Sequence, residues 1–465
     1  MVSDRMAADK SSWPRVRIGD VAQVYDGPHA TPTKTTTGPI FLGISSLNRG
    51  RLDLASTEHL SEEDFAKWTK RVVPSAGDVV FSYETRIGEA AIIPKGLRCC
   101  LGRRMGLVRV DASKLDSHFF LYQYLSPTFQ EFLHSRTIHG STVDRIALKD
   151  FPDFEIDLPP LSVQRQIAKV MLDVDTKIDL NRRTNQTLET MAQAIFKSWF
   201  VDFDPVKARI TAIEQGQDPL RAAMRAISGK TDAELDQMPR AHHDQLAATA
   251  ALFPDAMEES ELGEIPKGWA FQVTDFLTEV GIGKTPPRKE PQWFTEGEGD
   301  WRWVSIKDMG ASGVFQQRSS EFLTAEAVSR FNVRVVPDRT VLLSFKLTIG
   351  RVAITDGPMV TNEAIAHFKL PDDSAISSEY LYLYLKSFDY SKLGSTSSIA
   401  DAVNSKTIRE MPIIVANSDL IGCFTKSVIP IFEEVRNRQN KIATLGATRD
   451  TLLPKLLSGE VEVPA

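Results

Sequence analysis

Cysteine is nearly absent: three occur in 465 residues, two of them adjacent at Cys99 and Cys100 and the third far away at Cys423. Three such residues build neither a disulfide framework nor a cysteine-rich zinc site, so nothing points to an oxidising compartment. Long apolar runs are missing as well. No stretch of about 18 apolar residues occurs, and residues 1–10 carry no hydrophobic signal core, so membrane insertion and export are not expected. An excess of basic residues is also lacking: 55 Lys and Arg stand against 61 Asp and Glu, a formal charge of -6. That excludes a globally basic, histone-like binder and leaves local basic patches open. The eight histidines form no His-x-x-x-His pair, and His242-His243 sit in an otherwise polar stretch, so no metal site is expected.

What is present is a soluble globular composition, 42% hydrophobic and 25% charged, at a length suited to about three ordinary domains. An internal repeat organises it. Val72-Val73-Pro74 is echoed by Val335-Val336-Pro337, and Ser82-(x4)-Ile87-Gly88 by Ser344-(x4)-Ile349-Gly350, the latter at an offset of 262 residues. At that offset Pro39-Ile40-Phe41-Leu42 lies over Trp301-Arg302-Trp303-Val304. Each half opens near a tryptophan (Trp13, Trp269), continues through a polar loop and short apolar segments, and ends in a long helical tail. Residues 78–82 and 90–93 read as strands, with partners at 340–344 and 352–354, because they are short, rich in β-branched residues and bounded by Gly or Pro. Residues 118–125 and 379–385, without internal Gly or Pro, read as buried helices.

The tails differ from the globular parts. After Pro159-Pro160, Val170, Val174, Ile178, Leu188, Ala192, Ile195 and Trp199 recur at coiled-coil steps if Asn181 and Asn185 fill the seam between Ile178 and Leu188. This predicts a helix over 162–200, about 58 Å long at 1.5 Å per residue. Val428, Ile431, Val435, Ile442, Leu445, Leu452 and Leu456 repeat the pattern before Gly459, a helix-stop residue. Such stripes pair most simply as an antiparallel coiled coil; two amphipathic helices packed on their own domains are the alternative. Each globular half is thus α+β, and residues 205–260 read as a helical connector without chemistry.

Familiar catalytic patterns fail on inspection. Gly281-Ile282-Gly283-Lys284-Thr285 ends like a phosphate loop, but its required first glycine is Thr278. Asp157-Leu158-Pro159-Pro160-Leu161 lacks the aromatic residue and spacing of an amino-methyltransferase motif. Asp153, Asp175 and Lys177 match the spacing of a metal-dependent nuclease, yet the last two fall inside the long helix and not on a strand.

Polar loops remain as candidate DNA readers. Residues 95–109 contain Lys95, Arg98, Arg103, Arg104 and Arg109 and no acid, which suits phosphates and guanine edges; a solvated edge strand is the plain alternative. Each half has a long turn-rich loop, carrying Thr33 and Lys34 in the first and Lys284, Arg288 and Lys289 in the second. Between the paired strands lie Tyr83-Glu84-Thr85-Arg86 and Phe345-Lys346-Leu347-Thr348. A further pair of loops holds Ser141, Thr142 and Arg145, and Ser397, Asn404 and Lys406.

Over essentially its whole length the chain resembles the specificity subunit of a type I restriction-modification system. The resemblance is carried by the twofold repeat, Leu158-Pro159-Pro160-Leu161-(x2)-Gln164-Arg165-Gln166-Ile167-Ala168, Ile195-Phe196-Lys197-Ser198-Trp199-Phe200-Val201-Asp202-Phe203, Leu252-Phe253-Pro254-Asp255, Ser260-Glu261-Leu262-Gly263-Glu264-Ile265-Pro266-Lys267-Gly268-Trp269 and Leu452-Leu453-Pro454-Lys455-Leu456-Leu457-Ser458-Gly459-Glu460. Leu-Pro-Pro-Leu is not repeated before the second tail, where Ala416-Asn417-Ser418-Asp419-Leu420 stands, so that helix start is left open. The resemblance implies an α+β chain with two tandem target-recognition domains, 1–157 and 261–416, separated by two long antiparallel coiled-coil helices, 158–204 and 417–465, with a connector at 205–260. It implies that each domain reads one half of a bipartite site in double-stranded DNA. The helices would dock two methyltransferase subunits, for which Phe196, Trp199, Phe200 and Phe203 are the candidates, and restriction subunits would join the complex. No catalytic group, metal or cofactor is expected in this chain; S-adenosylmethionine belongs to the partner methyltransferase. The expected setting is the cytoplasm of a bacterium or archaeon. A metal-dependent nuclease and a duplicated protein-interaction scaffold are the competing readings.

Overall fold

A run of apolar residues without alternation forms a strand only where both faces of the sheet are covered, and the segment Val79–Ser82 meets that condition. Val79 and Phe81 point into a core with the buried helix Ser117–Leu125, while Val80 packs on the other side with Leu42, Ile93 and Leu101. Val341–Ser344 repeats this arrangement, with Val341 and Leu343 facing the helix Ser378–Ser387 and Leu342 facing Val304 and Met359. Asp116 caps the first of these helices by accepting from the amides of His118 and Phe119, and Ser377 caps the second through the amide of Tyr380.

The computed structural model describes residues 13–28, 32–55, 57–140, 143–393 and 403–462. The chain divides into two compact units, residues 1–180 with 442–465, and residues 181–441. The main sheet of the first unit has the order Ala22–Asp26, Met105–Val110, Val79–Ser82, Ala90–Ile92, antiparallel throughout. In the second unit the order is Glu279–Ile282, Ile365–Lys369, Val341–Ser344, Val352–Thr355, extended by Phe315–Gln316 in parallel. Each unit also pairs a strand in parallel behind this sheet, Thr35–Leu42 with Cys99–Leu101 and Trp301–Val304 with Val360–Thr361. In each, the opening strand clasps the last strand before a long helix: Arg15–Arg17 on Glu155–Asp157, and Ala270–Val273 on Pro412–Val415. The repeat visible at an offset of 262 residues is therefore a repeat of topology.

The first long helix runs from Leu161 to Phe200, 40 residues. Its start is pinned by Gln164, which is fully buried: the side chain accepts from the amide of Asp116 at 2.8 Å and donates to the carbonyls of Lys114 at 3.0 Å and Pro159 at 2.8 Å. The second long helix runs from Ser418 to Ser458, 41 residues. Where Leu-Pro-Pro-Leu is missing, Asn417 supplies the cap, its side chain accepting from the amide of Leu420 at 2.8 Å. Gly459, at φ +76°, ends it.

Within each unit the two helices run antiparallel. In the first, Ile167 and Met171 share a core with Leu453, Leu456 and Leu457, and Arg449 donates to Asp175 at 2.8 Å. In the second, Arg438 donates to Asn181 at 3.0 Å, Asn185 donates to the carbonyl of Val435 at 3.3 Å, and Phe196 and Phe200 meet Phe424. The two seam asparagines are thus half-buried and hydrogen-bonded across the pair.

The stretch read as a connector folds into four helices, Asp204–Glu214, Pro219–Ser228, Asp232–Asp236 and Arg240–Ala251. The last three enclose a small core of Ala223, Met224, Leu235 and Ala250, while Val206 of the first joins the core of the second unit. A hairpin, Met257–Ser260 with Gly263–Pro266, follows.

Candidate nucleic-acid interface

Antiparallel pairing brings the end of one strand beside the start of the next, so three loops meet at one end of each main sheet. In the first unit these are the turn after Asp26, the loop 83–89 and the turn 102–104. The amide of Tyr83 donates to the Arg104 carbonyl at 3.3 Å, and that of Gly27 to the Met105 carbonyl at 2.9 Å. The segment 138–146 lies alongside: the Thr85 amide donates to the Asp144 carbonyl at 3.2 Å, and the Ile146 amide to the Tyr83 carbonyl at 2.8 Å. Thr85, Arg86, Arg103, Arg104 and Arg145 thereby share one end of the sheet.

Their electrostatics correct the sequence reading of 95–109. Three of the five basic residues in this acid-free run are neutralised from outside it. Arg98 forks onto Glu62 at 2.5 and 2.6 Å, Arg109 forks onto Asp78 at 2.9 and 2.6 Å, and Arg104 pairs with Glu84. The hydrogen bond from Arg98 holds the Glu62 carboxyl below its usual range, and the bond to Asp78 raises the Arg109 guanidinium above its own. Arg103 stays exposed with no ion pair to any described residue, and so does Arg145. Arg86 is shared between Glu89 at 3.0 Å and the Ile44 carbonyl at 3.2 Å. Tyr83 does not face solvent: it is buried, and its hydroxyl donates to Asp26 at 2.9 Å. Burial, and then Asp26, push that phenol well above its ordinary value. Its role is to brace the loops.

The second unit builds the same end from residues 283–285, 345–350 and 362–364. The Gly283 amide donates to the Ile365 carbonyl at 3.1 Å, the Lys284 amide to the Thr361 carbonyl at 2.9 Å, and the Phe345 amide to the Ala364 carbonyl at 3.0 Å. Lys284, Lys346 and Thr348 are exposed there, and neither lysine has an ion pair with a described residue. The backbone at both tips is left-handed, Thr85 at φ +66° and Leu347 at φ +60°, although neither is glycine.

Other candidates stand elsewhere. Lys34, beside exposed Thr33, is held on Glu58 at 2.5 Å. Arg288 forks onto Glu321 at 2.6 and 2.9 Å and stacks between Phe294 and Trp303, 4.1 and 4.4 Å from their centroids, while Lys289 is exposed. Asn404 is a helix cap, its side chain accepting from the amides of Lys406 and Thr407, and Lys406 lies 3.7 Å from Glu410. Ser141, Thr142 and Ser397 lie outside the described residues.

The aromatic candidates for docking are corrected too. Phe196, Trp199 and Phe200 are buried in the core of the second unit among Phe253, Trp269, Tyr380 and Phe424, and Phe203 packs edge-on against Trp269. A stripe of large apolar side chains on a helix is drawn first into its own core, so Phe196, Trp199 and Phe200 offer a partner no free surface, while Phe203 is half-buried. Asp175, weighed above as a nuclease ligand, instead accepts from Tyr122 at 2.9 Å and Arg449 at 2.8 Å. Sequence reasoning overlooked Gln164 as the clamp of the helix start and Leu347 as the exposed tip. The first was hidden inside a motif noted for its prolines, and the second inside a loop scanned only for polar groups.

The model of the type I restriction modification DNA specificity domain matches residues 10–190 and 266–419, in both units. The HindI specificity subunit of Haemophilus influenzae, a type I restriction enzyme subunit, is 32% identical over 75% of this chain and 78% of its own. The MjaIX specificity subunit of Methanocaldococcus jannaschii is 24% identical over 97% of this chain and 94% of its own. The crystal structure of a type I restriction-modification S subunit from M. genitalium shares the fold, with a TM-score of 0.51 and 14% identity over 97% of this chain and 98% of that one. Two matched regions of a DNA specificity domain, each containing one of the duplicated loop clusters, place this chain in the type I restriction-modification specificity family, as a DNA-recognition subunit.

Proposed function

We propose that each unit reads one half of a bipartite DNA site with the loops at the end of its main sheet. The observation that carries this is the duplicated tip: the same backbone, left-handed at Thr85 and Leu347, bears different side chains in the two units. Similar scaffolds with unlike readers suit an asymmetric target. Exposed Arg103 and Arg145 in one unit, and Lys284 and Lys346 in the other, supply phosphate contacts that set register, while the tips meet base edges.

The long helices fix the distance between the half-sites and carry two methyltransferase subunits, which bring S-adenosylmethionine; restriction subunits join that complex. With Phe196, Trp199 and Phe200 buried, the apolar groups left on the first long helix are Leu172, Leu180 and Met191, 42%, 62% and 50% exposed. Exchange of residues 1–157 for the equivalent part of a relative, followed by mapping of methylated adenines in cells, tests the reading. One half of the methylated sequence should change, and a change in both halves would refute it.

A further inference from the structure

Leu347 is the large apolar side chain most exposed among the described residues, at 97%, and it stands on a backbone of φ +60° that a leucine adopts only under strain. Neither feature comes from looseness. Phe345, two residues earlier, is buried and its amide donates to the Ala364 carbonyl at 3.0 Å. Ser344 Oγ donates to the Thr348 carbonyl at 2.6 Å and accepts from the Arg351 amide at 3.0 Å, and the Gly350 amide donates to the Ser344 carbonyl at 3.0 Å. The loop is thus tied on both sides of a residue that touches nothing. Strain of this kind persists where the surroundings over-determine the backbone, and it concentrates where a side chain must be presented.

The duplicated position sharpens the point. Thr85 has the same left-handed backbone, and Gly88 and Gly350 follow three residues later at φ +91° and +88°. In the first unit the tip carries a hydroxyl that also accepts from Arg104 at 3.5 Å. In the second it carries four apolar carbons in a cationic setting of Lys284 and Lys346, with the Lys346 ammonium turned toward the Phe345 ring, 5.3 Å from its centroid. The two tips share the left-handed backbone and the following glycine, and they differ in the side chain presented.

Resting on the reading of half-sites above, we propose that Leu347 is a specificity-determining residue that packs against the C5 methyl group of a thymine in the half-site of the second unit. Thymine is the base that offers an apolar group in the major groove, and an apolar side chain on a tip is the complement to it. Cytosine, without the methyl, leaves Leu347 facing water.

The test uses the complex with its methyltransferase and duplexes of the mapped site in which each thymine of that half-site is replaced, one at a time, by deoxyuridine. One replacement should weaken binding about four-fold, the worth of one buried methyl-sized group. Leu347→Ala should bind the thymine and deoxyuridine duplexes equally. Leu347→Gly relieves the strained backbone, so it should fold at least as well and lose the same discrimination, which separates reading from stability. Equal sensitivity to deoxyuridine in wild type and Leu347→Ala, or none at any position, would overturn the proposal. So would a Leu347→Ala loss that is uniform across sequences, the mark of a wedge between base steps. Exchange of residues 1–157 tests the half-site reading separately, so the two ideas can fail independently.

Discussion

Arg103 and Arg104 are neighbours in sequence and differ in what faces them. Arg104 is held by Glu84, whereas Arg103 is exposed with no ion pair to a described residue. Arg103→Ala should therefore flatten the dependence of log binding constant on log salt by about one unit. Arg104→Ala should leave that slope nearly unchanged, since its charge is already balanced; DNA titrations over a range of salt concentrations separate them. His367 is a second residue with a measurable consequence. It is buried in the main sheet of the second unit, its Nε2 2.5 Å from Thr361 Oγ1, and burial lowers its pKa from 6.5 to about 3, with help from Arg334. Above pH 6.5 folded and unfolded chains are both neutral at this site, and the stability it contributes is complete. As pH falls below that value the unfolded chain takes up a proton that the folded chain refuses. Stability should drop by about 2 kcal/mol between pH 6.5 and about pH 5. Denaturant midpoints at those two pH values should show this loss in the wild type and a smaller one in His367→Gln.

At the level of elements, the proposed reading gives the apolar residues of the first long helix two tasks. Phe196 fills the core of the second unit against Tyr380 and Phe424, so Phe196→Ala should cost roughly 3–5 kcal/mol of stability. Met191, half exposed on the outer face, has no such burden. Met191→Asp should leave thermal unfolding within a degree or two and weaken co-purification with the methyltransferase. Thermal melts and pull-downs on the two variants give opposite patterns if core and docking face are distinct. A Met191→Asp protein that assembles normally would remove Met191 from the docking account. The seam asparagines serve a different end: Asn181 and Asn185 hydrogen-bond across the helix pair, and buried polar groups of this kind set register at a cost in stability.

For the whole molecule, both long helices belong to both units, the first passing from one to the other at Leu180 and the second at Lys441. Because the pair is antiparallel within each unit, a spacer change must be made in both strands of the seam. Four residues inserted after Leu180, matched by four after Lys441, add about 6 Å of helix and roughly preserve its face. The expected methylated site keeps both half-sites and gains roughly two base pairs of spacer. An active protein with an unchanged spacer would show that the helices do not act as a ruler.

Residue order alone specified the repeat, the strands Val79–Ser82 and Val341–Ser344, the buried helices and the long tails, because these rest on local patterns: runs of β-branched residues, periodic apolar positions, caps and stops. It also located the tips, since Ser82-(x4)-Ile87-Gly88 and its echo bracket them. Which charges and side chains are free depends on contacts made across the fold. Glu62 lies 36 residues from Arg98 and Asp78 lies 31 from Arg109, so no local window could see these arginines of the run 95–109 being neutralised. Phe196, Trp199 and Phe200 share a helical face whether that face meets a partner or its own core, and the choice was made by Trp269, Tyr380 and Phe424, which arrive from distant segments. Backbone strain at Thr85 and Leu347 is likewise invisible in composition: a left-handed φ at a non-glycine residue arises when hydrogen bonds on both sides of a loop fix its path, and those bonds exist only once the sheet has closed.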